Sequence, residues 1–495
     1  MYSLILLLVF LAVMVAVGVW GMKKTSSLSD FFLGGRTLGP WISAFAYGTT
    51  YFSAVVFIGF AGQQGWQFGI SSLLIGAGNA LLGALLAWLI LGKRTRVMTQ
   101  RLGSMTMPEF LEARFGSAHM KMISAVLIFV FLLPYSASVF KGLGHLFETT
   151  FSISYDFALI VLVGITGLYL ILGGYFAVTL TDFIQGFIML TGAVAMCALL
   201  VHRAGGFPEA FVTAAANYEA HIPPAERPSA LTVGSLIFMT SFGTWGLPQM
   251  VQKFYAIKDE RLIPKAAVIT TVFALIIGLA AYATGSLSHV FFDPQTVPQT
   301  AGGAVNYDRI VPSLLTTYLP DFLMAVIMLL VLSASMSTLA SMILVSSSAV
   351  TIDLYKGYLH PDAPEKTSLL LMRILSGVFI LCSYAISRMQ VGFIVTLMSL
   401  SWGVLSGAFM APYILGIFWK GVTKAGAYAG LFSGAGTAVL LFFLLGANNS
   451  PLASSIAMLV PFAVTPAVSL FTKKVDAGTV RKAFGESITN HQTGV

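Results

Sequence analysis

The residues best suited to chemistry in this chain stand where a polar group is most expensive. Leu332-Ser333-Ala334-Ser335-Met336-Ser337-Thr338-Leu339-Ala340-Ser341, followed by Val345-Ser346-Ser347-Ser348, crowds hydroxyls into an otherwise apolar segment. On a helix Ser337 and Ser341 share a face one turn apart, and so do Ala334 and Thr338. Hydroxyls and carbonyls at about 2.3–2.5 Å are what a dehydrated hard cation such as sodium needs. A small-residue packing face between membrane helices has the same composition, and the two readings are compatible. A second cluster, Tyr47-Gly48-Thr49-Thr50-Tyr51-Phe52-Ser53-Ala54, lies in the middle of another apolar segment. Gly beside hydroxyls at that depth suits a broken helix, whose freed carbonyls must find a partner or a cation. The alternative is an intact helix whose Ser and Thr bond back to preceding carbonyls.

Four further positions invite attention. Asp182, in Thr179-Leu180-Thr181-Asp182-Phe183-Ile184-Gln185, either reaches water from near a helix end or pairs with a cation or donor. A second cation site or an exit route, with Ser341, is its functional reading. Lys141 stands inside an apolar segment, with His145 and Glu148 one and two turns on. It either stretches toward water or holds a fixed positive charge toward a cavity, for a solute carboxylate or in place of a cation. Trp245, Gly246 and Pro248 interrupt a third segment, because proline removes a backbone donor and kinks the helix. Trp245 either walls a solute cavity or packs, and Tyr135, after Pro134, has the same two readings.

The elements that must position these residues are membrane helices. The chain has 495 residues, 57% hydrophobic and only 9% charged, with 48 Gly and 38 Phe. Soluble domains carry roughly 25% charge, and disordered chains are polar, so both classes are excluded. The apolar runs are about 20 residues long, the length a helix needs to cross, and they do not alternate as barrel strands would. Thirteen spans are expected, at about 2–22, 40–63, 69–92, 121–147, 155–173, 178–202, 229–252, 265–288, 320–350, 368–388, 391–419, 425–446 and 451–472. With the N-terminus outside, only Arg203, Arg227, Arg309 and Arg388 fall in outer loops, and Lys141 in a span. The remaining basic residues, Lys253 among them, fall in inner loops, which supports this topology and a cytoplasmic C-terminus. The formal charge of +8 is thus a topology signal, not a nucleic-acid surface. One transmembrane domain, 1–473, and a short tail, 474–495, account for the chain. The outer segments 203–228 and 289–319 are the longest connections, with 223–228 irregular.

Several chemistries find no support. Cys197 and Cys382 read as buried small hydrophobes, without a Cys/His cluster for zinc or iron–sulfur. There is no phosphate loop for ATP. The histidines are scattered, and no constellation suggests an enzyme. No protein partner is implied, and the surrounding partner is the lipid bilayer of the cytoplasmic membrane.

Taken together, several stretches resemble the sodium:solute symporter family, and within it the proline-carrying branch. They are Phe32-Leu33-Gly34-Gly35-Arg36-Thr37-Leu38-Gly39-Pro40, Leu146-Phe147-Glu148-Thr149-Thr150-Phe151, Gly173-Gly174-Tyr175-Phe176-Ala177-Val178 through Asp182 to Gln185, and Met336-Ser337-Thr338-Leu339 through Ser347 to Asp353-Leu354-Tyr355-Lys356. The resemblance implies an all-α polytopic fold of the leucine-transporter type. Two inverted five-helix repeats would lie at about 40–202 and 229–419, with broken helices at mid-membrane. It implies one sodium, held by the carbonyls of Thr49, Phe52 and Ala334 and the hydroxyls of Ser337 and Thr338. A second sodium, where family members have one, would need two serines near Asp182. Here Ala340 stands at one position and only Ser341 remains, which favours one ion. Ser53, Tyr135 and Pro248 match solute-site positions. Thr240 falls where a cavity tryptophan is expected, and Tyr51 replaces an aspartate. Phe242-Gly243 with Gly246-Leu247-Pro248 looks more like the pantothenate branch. The expected function is sodium-coupled import of a small organic solute by alternating access, an amino acid such as proline or another small carboxylate. The alternatives are a proton-coupled or uncoupled transporter using Lys141 or Asp182, pantothenate or monocarboxylate uptake, and a solute sensor of transporter fold.

Overall fold

The computed structural model describes residues 2–22 and 32–485. The side chains of 168–177 lie outside the described residues, and with them the motif at Gly173-Gly174-Tyr175-Phe176-Ala177. Lys23, Lys24 and the end of the tail, 486–495, are likewise outside. Among the described residues the structure is helical throughout, with isolated bridges only at Leu38–Ile257 and Gln299–Val305. In a bilayer this is the backbone's way of satisfying its own donors and acceptors.

Helix α1 (Tyr2–Met22) buries Leu7, Phe10 and Met14 against the bundle. Helix α2 (Pro40–Tyr51) opens on proline, whose missing N–H costs nothing in a first turn, and ends at Phe52 in extended geometry, φ −106° and ψ 124°. The chain winds up again at Val55, first as a wide turn (Val55–Phe60), then as α3 (Ala61–Phe68). So 40–63 is divided at Phe52–Ala54, as a broken helix requires. Next come α4 (Asn79–Gly92) and α5 (Ala118–Phe151), which carries Pro134 inside it. Helix α6 runs unbroken from Tyr155 to Arg203, 49 residues.

A second interruption follows the same plan. Helix α7 (Ala230–Phe242) gives way to a tight turn at Gly243–Trp245, Leu247 is extended, and α8 (Pro248–Ala256) starts on Pro248. The two arms meet at 50°. Then come α9 (Ile263–Ser286), α10 (Tyr307–Tyr318), α11 (Asp321–Ser348), α12 (Glu365–Arg388), α13 (Ile394–Phe418), α14 (Lys424–Leu445) and α15 (Ser450–Leu470).

Helix α11 is the axis. From Leu330 to Ser348 every residue is buried, and it packs on α1, α5, α6 and α2. Helices α13, α14 and α15 pack together at one flank. On the other side α9 lies against α3 and the run into α4 so closely that backbones touch. A Cβ added at Gly65 would stand 2.2 Å from the Gly285 carbonyl carbon, and one at Gly76 2.8 Å from that of Gly278. Glycine is required here because nothing larger fits between the helices.

Among the described residues nine helices are long and apolar enough to cross a bilayer, or ten with the bent pair, so the count of thirteen is not confirmed. The expected spans 155–173 and 178–202 both lie within Tyr155–Arg203, whose 49 residues far exceed the roughly 20 that one crossing needs. The segments 203–228 and 289–319 are not plain connections either: they contain Glu209–His221 and α10.

The arginines show how the basic end is sealed. Arg36 donates to the Ser104 carbonyl (2.6 Å), Arg96 to Ile257 (2.6 Å) and Arg114 to Gly416 (2.9 Å). Each guanidinium satisfies a carbonyl where a helix or turn ends, and favours the negative pole there.

Candidate functional site

The break after α2 frees acceptors in the middle of the bundle. In an unbroken helix the Thr50 carbonyl would accept the Ala54 N–H. That N–H instead donates to Ser335 Oγ on α11 (3.0 Å). The Val55 N–H is taken by Ser53 Oγ (3.2 Å), so the restart is capped by hydroxyls while the α2 carbonyls stay available.

Those carbonyls face Thr338. Its hydroxyl lies 3.2 Å from the Thr49 carbonyl, 3.1 Å from that of Thr50 and 3.0 Å from that of Ala334. Within α11 the Ala334 carbonyl also faces the Thr338 N–H, but the Thr49 and Thr50 carbonyls at the break share this one hydroxyl proton. The neighbouring Ser337 hydroxyl donates to Asp182 Oδ1 (2.6 Å) and lies 2.8 Å from Thr49 Oγ1. All these side chains are buried. The arrangement has more acceptor oxygens than protons, in a dry interior and at the negative pole of α2, which is what a small hard cation replaces. Of the residues expected to hold sodium, Thr49, Ala334, Ser337 and Thr338 come together here, and the extended Phe52 ends the same helix. Asp182, read separately in the sequence, is tied to the cluster through Ser337.

One residue of this region was missed. Lys253, on α8, is 1% exposed, donates to Ser341 Oγ (3.0 Å) and lies 3.9 Å from Asp182 Oδ2. Ser341 Oγ in turn is 3.0 Å from Thr50 Oγ1. Counting Lys253 as a loop cation is therefore corrected: the bend at Pro248 carries α8 back into the bundle and buries it. The signal available in the sequence was the helical run continuing past Pro248.

The expected solute residues divide. Ser53 and Tyr135 come together, with the Tyr135 hydroxyl close to Ser53 and to the indole of Trp402. The rings of Tyr135 and Trp402 stand edge to face, centroids 5.8 Å apart, and Tyr51 stacks on Trp402 at 6.4 Å. Gly243 allows this, since a Cβ there would meet the Trp402 ring at 2.5 Å. Trp402, on α13, was not singled out: one aromatic in an apolar run carries no periodic signal. The side chains of Thr240 and Trp245 do not join the group, although the Thr240 carbonyl accepts the Tyr51 hydroxyl (2.6 Å). The Thr240 hydroxyl donates to Asn79 Oδ1 (2.8 Å) and the Trp245 indole to the Leu82 carbonyl (3.0 Å), so both are engaged by α4. Pro248 serves as the first residue of α8.

Lys141 also lies elsewhere. Its ammonium is 2.8 Å from Asp308 Oδ2 of α10, and it donates to the Gly392 carbonyl ahead of α13. Asp308 accepts the Ile394 N–H as well. The charge is therefore neutralised within the protein, neither stretched to water nor turned toward Ser53. A cavity of about 320 Å³ is lined by Gln63, Gln67, Tyr307 and Phe393 among others, and neither Lys141 nor Asp308 lines it.

Comparison with known proteins gives a consistent answer. Residues 31–434 match the sodium:solute symporter family. Sodium/proline symporters of Staphylococcus aureus strains are 31% identical over 438 residues, 87% of this chain and 84% of theirs. Among solved structures, a Na+-coupled sialic acid symporter in a substrate-bound outward-open state superposes with a TM-score of 0.82 at 19% identity, over 96% of this chain and 98% of that one. A nucleobase-cation-symport-1 family transporter matches at 0.53 and 12% identity, over 92% and 98%. At such identities the structural likeness establishes the fold, that of transporters of the leucine-transporter type.

Proposed function

The chain belongs to the sodium:solute symporter family, and from that premise we propose that its solute is a small amino acid of the proline kind, imported with one sodium ion. Sodium-coupled solute transport across the membrane, rather than enzymatic activity, follows from the family itself. The finer reading rests on this chain's own residues.

The observation that carries the cation site is the proton shortage at the break, one Thr338 hydroxyl between the Thr49 and Thr50 carbonyls. Sodium would be held by the carbonyls of Thr49, Phe52 and Ala334 and the hydroxyls of Ser337 and Thr338. For the solute, the favoured place is beside the same break. Ser53, Tyr135 and the Trp402 indole supply donors suited to a carboxylate, and aromatic faces supply walls for a compact apolar ring. The identity of 31% to sodium/proline symporters points the same way.

In this reading the two broken helices occupy corresponding positions of two five-helix repeats, about 40–202 and 229–419, with the N-terminus outside and the C-terminus in the cytoplasm. Sodium joins α2 to α11 and so favours the conformation that accepts solute. Linkage then requires that solute raise sodium affinity by the same factor.

The test is uptake of labelled L-proline into liposomes holding the purified protein, under an inward sodium gradient and with sodium replaced by choline. Accumulation only with sodium, blocked by excess unlabelled proline and not by pantothenate or lactate, is the expected result. Equal uptake in choline would overturn the coupling. Sodium-driven uptake of another carboxylate, with proline inert, would overturn the solute.

A further inference from the structure

The region around Asp182 holds a charge that the sodium reading does not use. Lys253 Nζ stands 3.0 Å from Ser341 Oγ and 3.9 Å from Asp182 Oδ2, and Ser341 Oγ stands 3.0 Å from Thr50 Oγ1. Among the described residues Asp182 Oδ2 accepts no hydrogen bond, while Oδ1 is held by Ser337. A buried carboxylate oxygen, two hydroxyls and an opposing positive charge make a second oxygen-lined cation position, one helical turn from Thr338 along α11. We propose that Lys253 is a tethered cation filling this second position, and that its ammonium limits the cycle to one sodium per solute.

The argument is one of space and charge, and it rests on the sodium reading above. A mobile cation entering beside Asp182 would meet a fixed ammonium within a few ångströms, in an interior that screens charge poorly. The same carboxylate cannot neutralise both. Remove the ammonium while keeping its bulk, and Asp182 becomes a bare anion next to Ser341 and Thr50, with the ligand chemistry of a sodium site. Lys253 is thereby a specificity-determining residue for the number of ions. Because α8 follows the bend at Pro248, its movement would carry this built-in charge with it.

The experiment measures ion-to-solute ratio in liposomes with the membrane voltage clamped at zero. The solute gradient that just balances a tenfold sodium gradient is about tenfold for one sodium and about a hundredfold for two. Wild type and Lys253→Arg are expected at the lower value, and Lys253→Met at the higher, with a steeper sodium dependence of uptake. Lys253→Met with Asp182→Asn, which removes both charges, is expected to return to the lower value. A ratio of two in wild type overturns the proposal even if Lys253→Met does not fold. An active Lys253→Met that keeps a ratio of one overturns it too. Sodium-independent transport by wild type is a different result, sinking the sodium reading on which the proposal stands.

Discussion

Two buried lysines face two buried aspartates in this bundle, and they are built differently. Lys141 and Asp308 meet at 2.8 Å, and both are further held by backbone, Lys141 by the Gly392 carbonyl and Asp308 by the Ile394 N–H. Three separate elements, α5, α10 and the start of α13, are stapled at one point. Lys253 and Asp182 stand 3.9 Å apart among hydroxyls, with Asp182 shared toward the cluster at Thr49 and Thr338. A tight pair closed by backbone has one arrangement. A loose pair among hydroxyls lacks that backbone closure. The difference separates a fastening closed by backbone from a looser pair beside the proposed cation site.

The comparison can be broken most severely at the fastening. Asp308→Ala should cost about 3–5 kcal/mol, because it leaves the Lys141 charge buried without its partner. The measurement is thermal unfolding of the purified protein, with Lys141→Met plus Asp308→Leu expected to recover much of the loss. If Asp308→Ala melts like wild type, the pair is not a fastening.

At the proposed cation site the expected effect is smaller in stability and larger in ion dependence. Thr338→Ala removes a proposed sodium ligand and should raise the sodium concentration for half-maximal uptake by about tenfold, equivalent to about 1.4 kcal/mol, while the melting temperature without sodium changes little. An unchanged sodium dependence would remove Thr338 from the site. Next comes packing beside the solute group. Gly243→Ala presses on Trp402 and should cost about 1–3 kcal/mol, with weaker solute binding as the more telling readout. Smallest is the outlying pair Glu148–Arg309, 2.7 Å long but with Arg309 42% exposed. Arg309→Gln should change stability by about 0–1 kcal/mol, fading with added salt. A large effect there would mean that the fastening extends beyond Lys141 and Asp308.

How much of this could be read from sequence depended on whether the information ran along one helix. The hydroxyl face of α11 and the break at Phe52–Ala54 were legible because spacing and composition within a single segment describe them. Ser53 and Tyr135 came from resemblance and do meet. What failed was lateral. The partner of Lys141 lies on α10, more than 160 residues away in sequence, inside a stretch that reads as a loop. Lys253 was hidden because the span was taken to end at residue 252, where hydropathy falls, whereas the bent helix goes on to Ala256 with its polar side chains turned inward. Trp402 was invisible for the opposite reason, being one apolar residue among many.

The seam of Gly65 on Gly285 and Gly76 on Gly278 bears on how motion in this protein could be measured. Where two backbones touch there are no side chains between them to exchange rotamers, so the seam has no graded way to yield: α3, α4 and α9 travel together or part outright. Any displacement during a cycle must then be taken up by other helices. A pair of spectroscopic labels placed across that seam would return one separation for as long as the seam holds, and so serve as the internal ruler against which the excursions of α8 and α13 are read.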